Sequence, residues 1–166
     1  MRVAARKRNP FINSPRGGRT LSAMQLPLFL IFPPRGFGVI TTTGRVSGKR
    51  RRRCIRAIRS GDKVYVVAMK GASTTGWAKN ALANPEVRLR IRGGSFTGRA
   101  RELEGPAERE VAEKVYCQTV NPFDYPECAM WRHGCPSRSK IEMLHREWFE
   151  RGTPLVIGLS GDSTAG

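Results

Sequence analysis

The residue types that could do chemistry concentrate in one stretch, Val39–Lys49, which four arginines follow at once at Arg50–Arg53. The β-branched run that ends at Thr43 predicts a strand, and two glycines predict a tight loop after it. Backbone N–H groups, hydroxyls and guanidinium groups in such a loop can converge on one phosphate. The expected anion site comprises Thr42, Thr43, Gly44, Arg45, Ser47, Gly48, Lys49 and Arg51. A plain β-turn with a solvated basic flank fits the same residues, since neither a Walker loop nor a Gly-x-Gly-x-x-Gly motif is present.

The positive charge is concentrated toward the N-terminus. Residues 1–59 contain 15 Lys and Arg and no acid, whereas the remainder has 15 basic residues against 13 acidic ones. The basic third must therefore face water, an anionic ligand, nucleic acid or a membrane surface. A length of 166 residues favours one domain. We expect a flexible basic arm at 1–20, the domain at 21–160 and a disordered tail at 161–166.

An apolar segment follows the arm. It runs from Met24 to Phe32, contains Pro27 and is far shorter than the ~20 residues that span a bilayer. Two interpretations stay open. The segment either packs onto the domain, or lies in a membrane interface beside the basic arm.

Period-two alternation predicts most of the remaining elements. Val87–Arg92 alternates apolar and basic residues strictly, and the Gly93-Gly94 pair turns it back into a partner strand. The other predicted strands are Val39–Thr43, Cys54–Arg59, Lys63–Met69 and Thr153–Leu159. The predicted helices are Trp77–Ala83, Pro106–Tyr116 and Ser137–Arg151, with an aromatic loop at Asn121–Pro126. Five or six mostly antiparallel strands with helices at their connections predict a mainly β (α+β) fold, a β-barrel with flanking helices.

The four cysteines form no Cys-x-x-Cys pair and indicate free thiols in a reducing, cytoplasmic setting. Cys117, Cys128, His133 and Cys135 are candidate zinc ligands by residue type. Their spacing matches no standard zinc module, and we expect no metal site.

Three motifs together resemble the deazaflavin-dependent nitroreductase family. They are Thr41–Gly48, Val66–Gly71, and Trp77–Asn80 running into Ala83–Val87. The resemblance covers residues 36–105 well. It implies a split β-barrel related to FMN-binding reductases that binds coenzyme F-420, a deazaflavin with a phosphate and a glutamate tail; FMN is the alternative cofactor. Val46 and Arg50 depart from the residues usual in the family.

The resemblance also implies roles for individual residues. The loop around Gly44 and Arg51 would hold the phosphate, and the Arg50–Arg53 run or the arm would meet the glutamate tail. The deazaflavin ring would contact Met69, Lys70, Gly71 and Ala72, with Trp77 and Asn80 supporting the wall. Reduced deazaflavin would transfer a hydride to a quinone, nitro-heterocycle or activated enone. Tyr125 is the candidate proton donor by likeness to tyrosines in relatives, although a packing role is equally open.

Two other functions stay open. A non-catalytic carrier of F-420, FMN or haem would use the same barrel. A nucleic-acid-binding module would place Arg50–Arg53 on phosphates, but no groove-reading motif accompanies these arginines. We expect a small-molecule electron acceptor as partner, an anionic membrane surface at the inner face as a second one, and a monomer or homodimer.

Overall fold

A computed structural model describes residues 15–69, 75–132 and 134–162, with the backbone alone for 15–22, 75, 161 and 162. Eleven elements occupy this described part of the chain. In chain order they are α1 (Pro15–Ile31), β1 (Phe37–Thr43), β2 (Arg50–Ser60), β3 (Lys63–Ala68), α2 (Thr75–Ala83), β4 (Glu86–Ile91), β5 (Gly94–Glu102), α3 (Gly105–Gln118), α4 (Asp124–Trp131), α5 (Arg138–Arg151) and β6 (Thr153–Asp162).

The six strands close into one antiparallel barrel in the order β1-β2-β3-β6-β5-β4. The alternation along the strands explains why the barrel closes. Every second side chain is apolar, and closure buries these side chains of all six strands in one interior. In β4, for example, Leu89 is buried in the barrel while Arg88 is exposed. The interior is filled by side chains that include Ile40, Val64, Val66, Leu89, Leu155 and Ile157. The predicted split β-barrel with flanking helices is confirmed.

The helices cover the outside of the barrel in three places. Helices α3 and α5 pack together through Tyr116 and Phe149. Helix α4 joins α5 through Cys128 and Trp148. Helix α1 lies across β1, β2 and β4 and buries Phe29 completely. Each of these three groups of helix contacts is a separate hydrophobic cluster, so side-chain packing holds the helices on the barrel without backbone hydrogen bonds to the strands.

Helix α1 differs from the sequence expectation. It begins at Pro15 and includes residues 15–20, which the sequence assigns to the arm; residues 1–14 lie outside the described part. Pro15 suits a first helical position, where no intrahelical partner is needed for its missing N–H. Pro27 lies inside the helix and removes one backbone hydrogen bond. Packing of Phe29 against Phe37 and Phe123 compensates for this loss.

The predicted aromatic loop at Asn121–Pro126 is wrong over its second half, because α4 begins at Asp124. Pro126 occupies the first turn of that helix, where backbone N–H groups have no intrahelical acceptor, so it does not break the helix. Strand β6 extends to Asp162, two residues into the predicted tail, and β2 begins at Arg50 instead of Cys54. Within the described part of the chain, no helix is both long enough and apolar enough to cross a bilayer.

Candidate functional site

The predicted anion loop is the hairpin turn between β1 and β2. Gly44 donates its N–H to the carbonyl of Lys49 at 2.9 Å, and Gly48 donates to the carbonyl of Gly44 at 2.8 Å. Gly48 has a φ of +65°, the left-handed region in which a side chain is strained. The Lys49 N–H donates to Ser47 Oγ at 3.4 Å. These bonds hold the turn in one shape without any ligand.

Two backbone donors remain unused in this turn. The N–H groups of Val46 and Ser47 make no hydrogen bond to any residue in the described ranges. Val46 is almost fully exposed, so both donors face water at the tip. Adjacent free N–H groups in a turn form an anion-binding concavity.

Ser47 and Arg51 lie against the same glycine. A Cβ atom built on Gly44 would be 2.7 Å from Ser47 Oγ and 3.4 Å from Arg51 Nε. Arg51 reaches this position because it pairs with Thr42 across the β1–β2 ladder. A hydroxyl and a guanidinium group therefore converge over a backbone that only glycine permits.

Helix α2 secures the other side of the turn. Asn80 Oδ1 accepts from the Arg45 backbone N–H and from Arg45 Nη1, both at 3.2 Å. Asn80 is buried, and Trp77, one turn earlier, is packed in the barrel core. Both residues therefore position the loop from behind.

Two further predicted phosphate ligands lie at the end of β1. Thr42 points into the barrel, and its Oγ1 is buried with no partner among the described residues. Thr43 is on the opposite side of the strand, partly exposed, and its carbonyl accepts from Asn84 Nδ2 at 3.4 Å. The Thr43 hydroxyl is thus the more accessible of the two.

The four consecutive arginines do not form one cluster. All four belong to β2, whose side chains alternate between the two sides of the ladder. Arg51 lies on the side of the inward-facing Thr42, whereas Arg52 pairs with Thr41 and lies on the side covered by α1. An anionic tail on one side would meet only every second arginine.

The predicted ring-binding segment starts at the same end of the barrel. Met69 follows β3 and packs against the cluster formed by α4 and α5. Strands β1 and β3 are each antiparallel to β2, so β3 ends at the end of the barrel that carries the hairpin turn. Lys70, Gly71 and Ala72 lie outside the described residues.

Tyr125, the candidate proton donor, is on α4, and 39% of it is exposed to solvent. The preceding residue, Asp124, points the other way and is fully buried. Cys128, one turn later, packs in the same cluster that Met69 contacts. Helix α4 therefore links Tyr125 to the start of the ring-binding segment.

The residue that anchors α4 is one the sequence does not single out. Arg56 of β2 is buried, forms an ion pair with Asp124, and donates from Nη2 to the carbonyl of Thr119 at 2.7 Å. Its guanidinium also lies 5.1 Å from the Tyr116 ring centroid. Asp124 accepts in addition from the Asn121 backbone N–H at 2.6 Å. A buried charge pair is stable only with such further hydrogen bonds.

His145 of α5 completes this buried network. Its Nδ1 is 3.3 Å from Arg56 Nη2 and its Nε2 is 3.6 Å from Asp124 Oδ1. Burial lowers the pKa of His145, which favours the neutral ring, and Nδ1 lies between Arg56 and the carbonyl of Cys117, 3.4 Å away. Burial also raises the pKa of Glu127, whose Oε2 has no partner among the described residues, to about 8.

No three His, Cys, Asp or Glu side chains in the described ranges are grouped closely enough to hold a metal ion. Cys54, Cys117, Cys128 and Cys135 form no disulfide. His133 lies outside the described residues, so the zinc set that includes it stays a hypothesis.

The family model for F420H(2)-dependent quinone reductases matches residues 31–132. This match covers more than half of the chain and includes the loop, α2 and Tyr125. A search of curated proteins finds no significant match.

Several solved structures are similar. An F420-H2 dependent reductase, FDR-A, has 28% identity over 74% of this chain and 94% of its own, with a TM-score of 0.49. A structure described as a domain-swapped dimer has 26% identity over 75% and 81%, also with a TM-score of 0.49. An FAD-binding protein from Mesorhizobium loti has 15% identity over 84% and 91%, with a TM-score of 0.45.

The family match spans five of the six strands and both segments in which the sequence predicts cofactor contacts. The barrel, the closed hairpin turn and the basic residues around it agree with that match. This chain belongs to the F420H(2)-dependent quinone reductase family, a family of oxidoreductases.

Proposed function

We propose that the protein binds coenzyme F-420 and transfers a hydride from its reduced form to a quinone, with nitro-heterocycles and activated enones as further acceptors. The observation that carries this proposal is the convergence of Ser47 Oγ and Arg51 Nε on Gly44, in a turn that also has two free backbone N–H groups. No carboxylate lies within the turn from Gly44 to Arg51. The turn is therefore suited to a phosphate.

The residues at this end of the barrel fit such a coenzyme. Arg51 and Ser47 would hold its phosphate, with Arg45 kept nearby by Asn80. Lys49, Thr43 and Gly48 complete the turn around that position. The segment from Met69 to Ala72 would contact the ring, since it follows β3 at the end of the barrel that carries the hairpin turn. FMN carries a phosphate too, and is the alternative cofactor.

When bound, the reduced deazaflavin supplies the hydride. The chain has to orient the acceptor, exclude water and deliver a proton to the acceptor oxygen. Tyr125 is the group we assign to proton delivery, because its phenol is accessible on a helix whose other side is fixed by the Arg56–Asp124 pair. A positioned general acid typically contributes about 10²–10⁴ in rate.

The test is a titration followed by tryptophan fluorescence, with Trp77 as the expected reporter because it packs behind the loop. Oxidised F-420, FMN, haem and a short DNA duplex are compared at two salt concentrations. We expect micromolar binding of F-420 and no duplex binding at moderate salt. Tight binding of FMN or haem in place of F-420, or salt-resistant duplex binding, would refute the assignment.

Binding alone does not separate a reductase from a carrier. Reduced F-420 is therefore mixed with a water-soluble quinone, and the absorbance of the oxidised coenzyme is followed. We expect its formation to depend on both protein and quinone. Binding without turnover for a quinone, a nitro-heterocycle and an enone would identify a carrier.

We also propose peripheral association with an anionic membrane at the cytoplasmic face. Support comes from the apolar residues that α1 leaves exposed and from the excess of basic residues before position 60. Co-sedimentation with anionic vesicles tests this. Equal recovery in the supernatant with and without vesicles would contradict it.

A further inference from the structure

Helix α1 leaves one apolar face exposed among the described residues. Met24, Leu28, Ile31 and Phe32 are 75%, 57%, 62% and 74% exposed, respectively. Met24, Leu28 and Ile31 recur at i, i+4 and i+7 and so lie on one side of α1, and Phe32 follows directly after its last residue. We call these four residues the α1 stripe. Single exposed apolar residues are ordinary, but a contiguous row marks an interaction surface.

A cleft of about 170 Å³ opens at the end of β1 opposite to the hairpin turn. Three arginines from three different elements line it. Arg35 comes from the turn before β1, Arg59 from the last residues of β2, and Arg92 from the β4–β5 turn. Seven residues of β1 separate this cleft from the predicted cofactor loop, roughly 20 Å.

The charge in this cleft is uncompensated. None of the three arginines forms an ion pair within the described part of the chain. Arg59 donates to the carbonyl of Gly61 at 3.0 Å and lies over the Phe96 ring, and both interactions leave its charge in place. Arg56, behind the cleft, is already neutralised by Asp124.

The cleft also contains a donor without an acceptor. Asn121 Nδ2 is buried and makes no hydrogen bond to the described residues. It lies directly over Gly36, so closely that a side chain there would collide with it. A buried unpaired amide in a cleft that three arginines line favours an oxyanion as ligand.

The α1 stripe ends next to this cleft. Phe32 and Arg35 are three residues apart, which limits their separation to about 10 Å. Arg90 of β4 holds the end of the helix by donating from Nε to the carbonyl of Leu30 at 3.0 Å. Arg92 of the cleft follows Arg90 by two residues, just after the end of β4. Apolar insertion and anion binding are thus side by side.

We propose that this cleft binds the phosphate group of an anionic phospholipid while the α1 stripe enters the bilayer interface beside it. This inference deepens the proposed membrane association and rests on it. A bilayer surface is the occupant whose chemistry matches both parts, because it presents phosphates and acyl chains within a few ångströms of each other. A second copy of the chain would bring like charges together.

The test uses the full chain and vesicles of phosphatidylcholine with or without phosphatidylglycerol. The double variant Arg35→Gln/Arg92→Gln should bind mixed vesicles at least tenfold more weakly, since each basic residue near an anionic surface adds about fivefold. Phe32→Ser should weaken binding through the stripe. The matched control is Arg99→Gln/Arg146→Gln, which also removes two exposed arginines, one on β5 and one on α5, and should change binding less than threefold.

Equal losses in the two double variants would overturn the cleft as a lipid site and indicate diffuse charge only. Abolition of vesicle binding by inorganic phosphate at low concentration, with no change in Phe32→Ser, would identify free phosphate as the ligand instead. The F-420 and quinone assays test the reductase proposal independently of the lipid site. In these assays the Arg35 and Arg92 variants should keep wild-type F-420 affinity and wild-type turnover with a water-soluble quinone.

Discussion

The β1–β2 hairpin turn and the Arg56 network use the same residue type in opposite ways. In the turn, Arg51 lies among exposed residues, with a hydroxyl and free N–H groups beside it. In the network, Arg56 is buried, and its guanidinium is paired with Asp124 and with backbone carbonyls. A solvated arginine keeps its hydrogen-bonding capacity for a ligand, whereas a desolvated one must use it inside the fold.

The comparison shows that burial decides whether an arginine contributes to ligand binding or to the stability of the fold. Arg51 should contribute to coenzyme affinity and almost nothing to stability. Arg56 should contribute to stability and to activity only through the placement of α4. Because both residues are on β2, five positions apart, they form a matched pair for substitution.

The largest expected effect is on stability. Arg56→Ala leaves the Asp124 carboxylate buried without its partner, which should lower the free energy of unfolding by about 3–5 kcal/mol. Arg51→Ala should change it by less than about 0.5 kcal/mol. Urea denaturation measures both. Similar losses in the two variants would contradict the contrast between the regions.

A second effect separates positioning from chemistry on α4. Tyr125→Phe keeps the ring and removes the hydroxyl, so turnover with a quinone should fall at least tenfold, and by up to about 10⁴-fold. Coenzyme affinity and melting temperature should stay at wild-type values. Steady-state kinetics with a quinone check this. Normal turnover would reassign Tyr125 to the pocket wall.

The network should also carry a pH signature. The pKa of Glu127 is raised from 4.5 to about 8, so the folded protein retains a proton that the unfolded chain releases. The stabilisation from the protonated Glu127 is therefore lost as pH rises from about 4.5 to 8, and unfolding becomes easier over that range. Glu127→Gln should flatten this decline. An unchanged pH profile of melting temperature in that variant would exclude Glu127 as its source.

The smallest effect concerns the basic arm. Deletion of residues 1–14 leaves α1 complete, unlike a deletion through residue 19. It should weaken binding of F-420 with a long glutamate tail severalfold at low salt, because the removed arginines attract carboxylates, and leave a tail-free deazaflavin unaffected. Binding titrations at two salt concentrations measure this. Equal weakening for both ligands would refute a contact between arm and tail.

The sequence predicts the barrel and the loop because their signals are local. The alternation in Val87–Arg92 predicts a strand from six residues, and the glycines at 44 and 48 predict the turn from five. The network could not be predicted in this way. Arg56, Asp124 and His145 meet only after β2, α4 and α5 have packed, and Asp124 lies within a stretch whose two prolines indicate a loop. Likewise, Pro27 disfavours a helix, but the packing of Phe29 against Phe37 and Phe123 outweighs this effect. These contacts are tertiary and are not visible in the local sequence.

The most direct test of the central claim is a two-by-two binding measurement with wild type and Arg51→Ala, using F-420 and a deazaflavin that lacks the phosphate. A charge-assisted hydrogen bond contributes about 1.5–3 kcal/mol, so the substitution should weaken F-420 binding by one to two orders of magnitude. It should leave the affinity for the phosphate-free ligand unchanged. Equal losses for both ligands, or none for either, would contradict the assignment of the β1–β2 hairpin turn as the phosphate site.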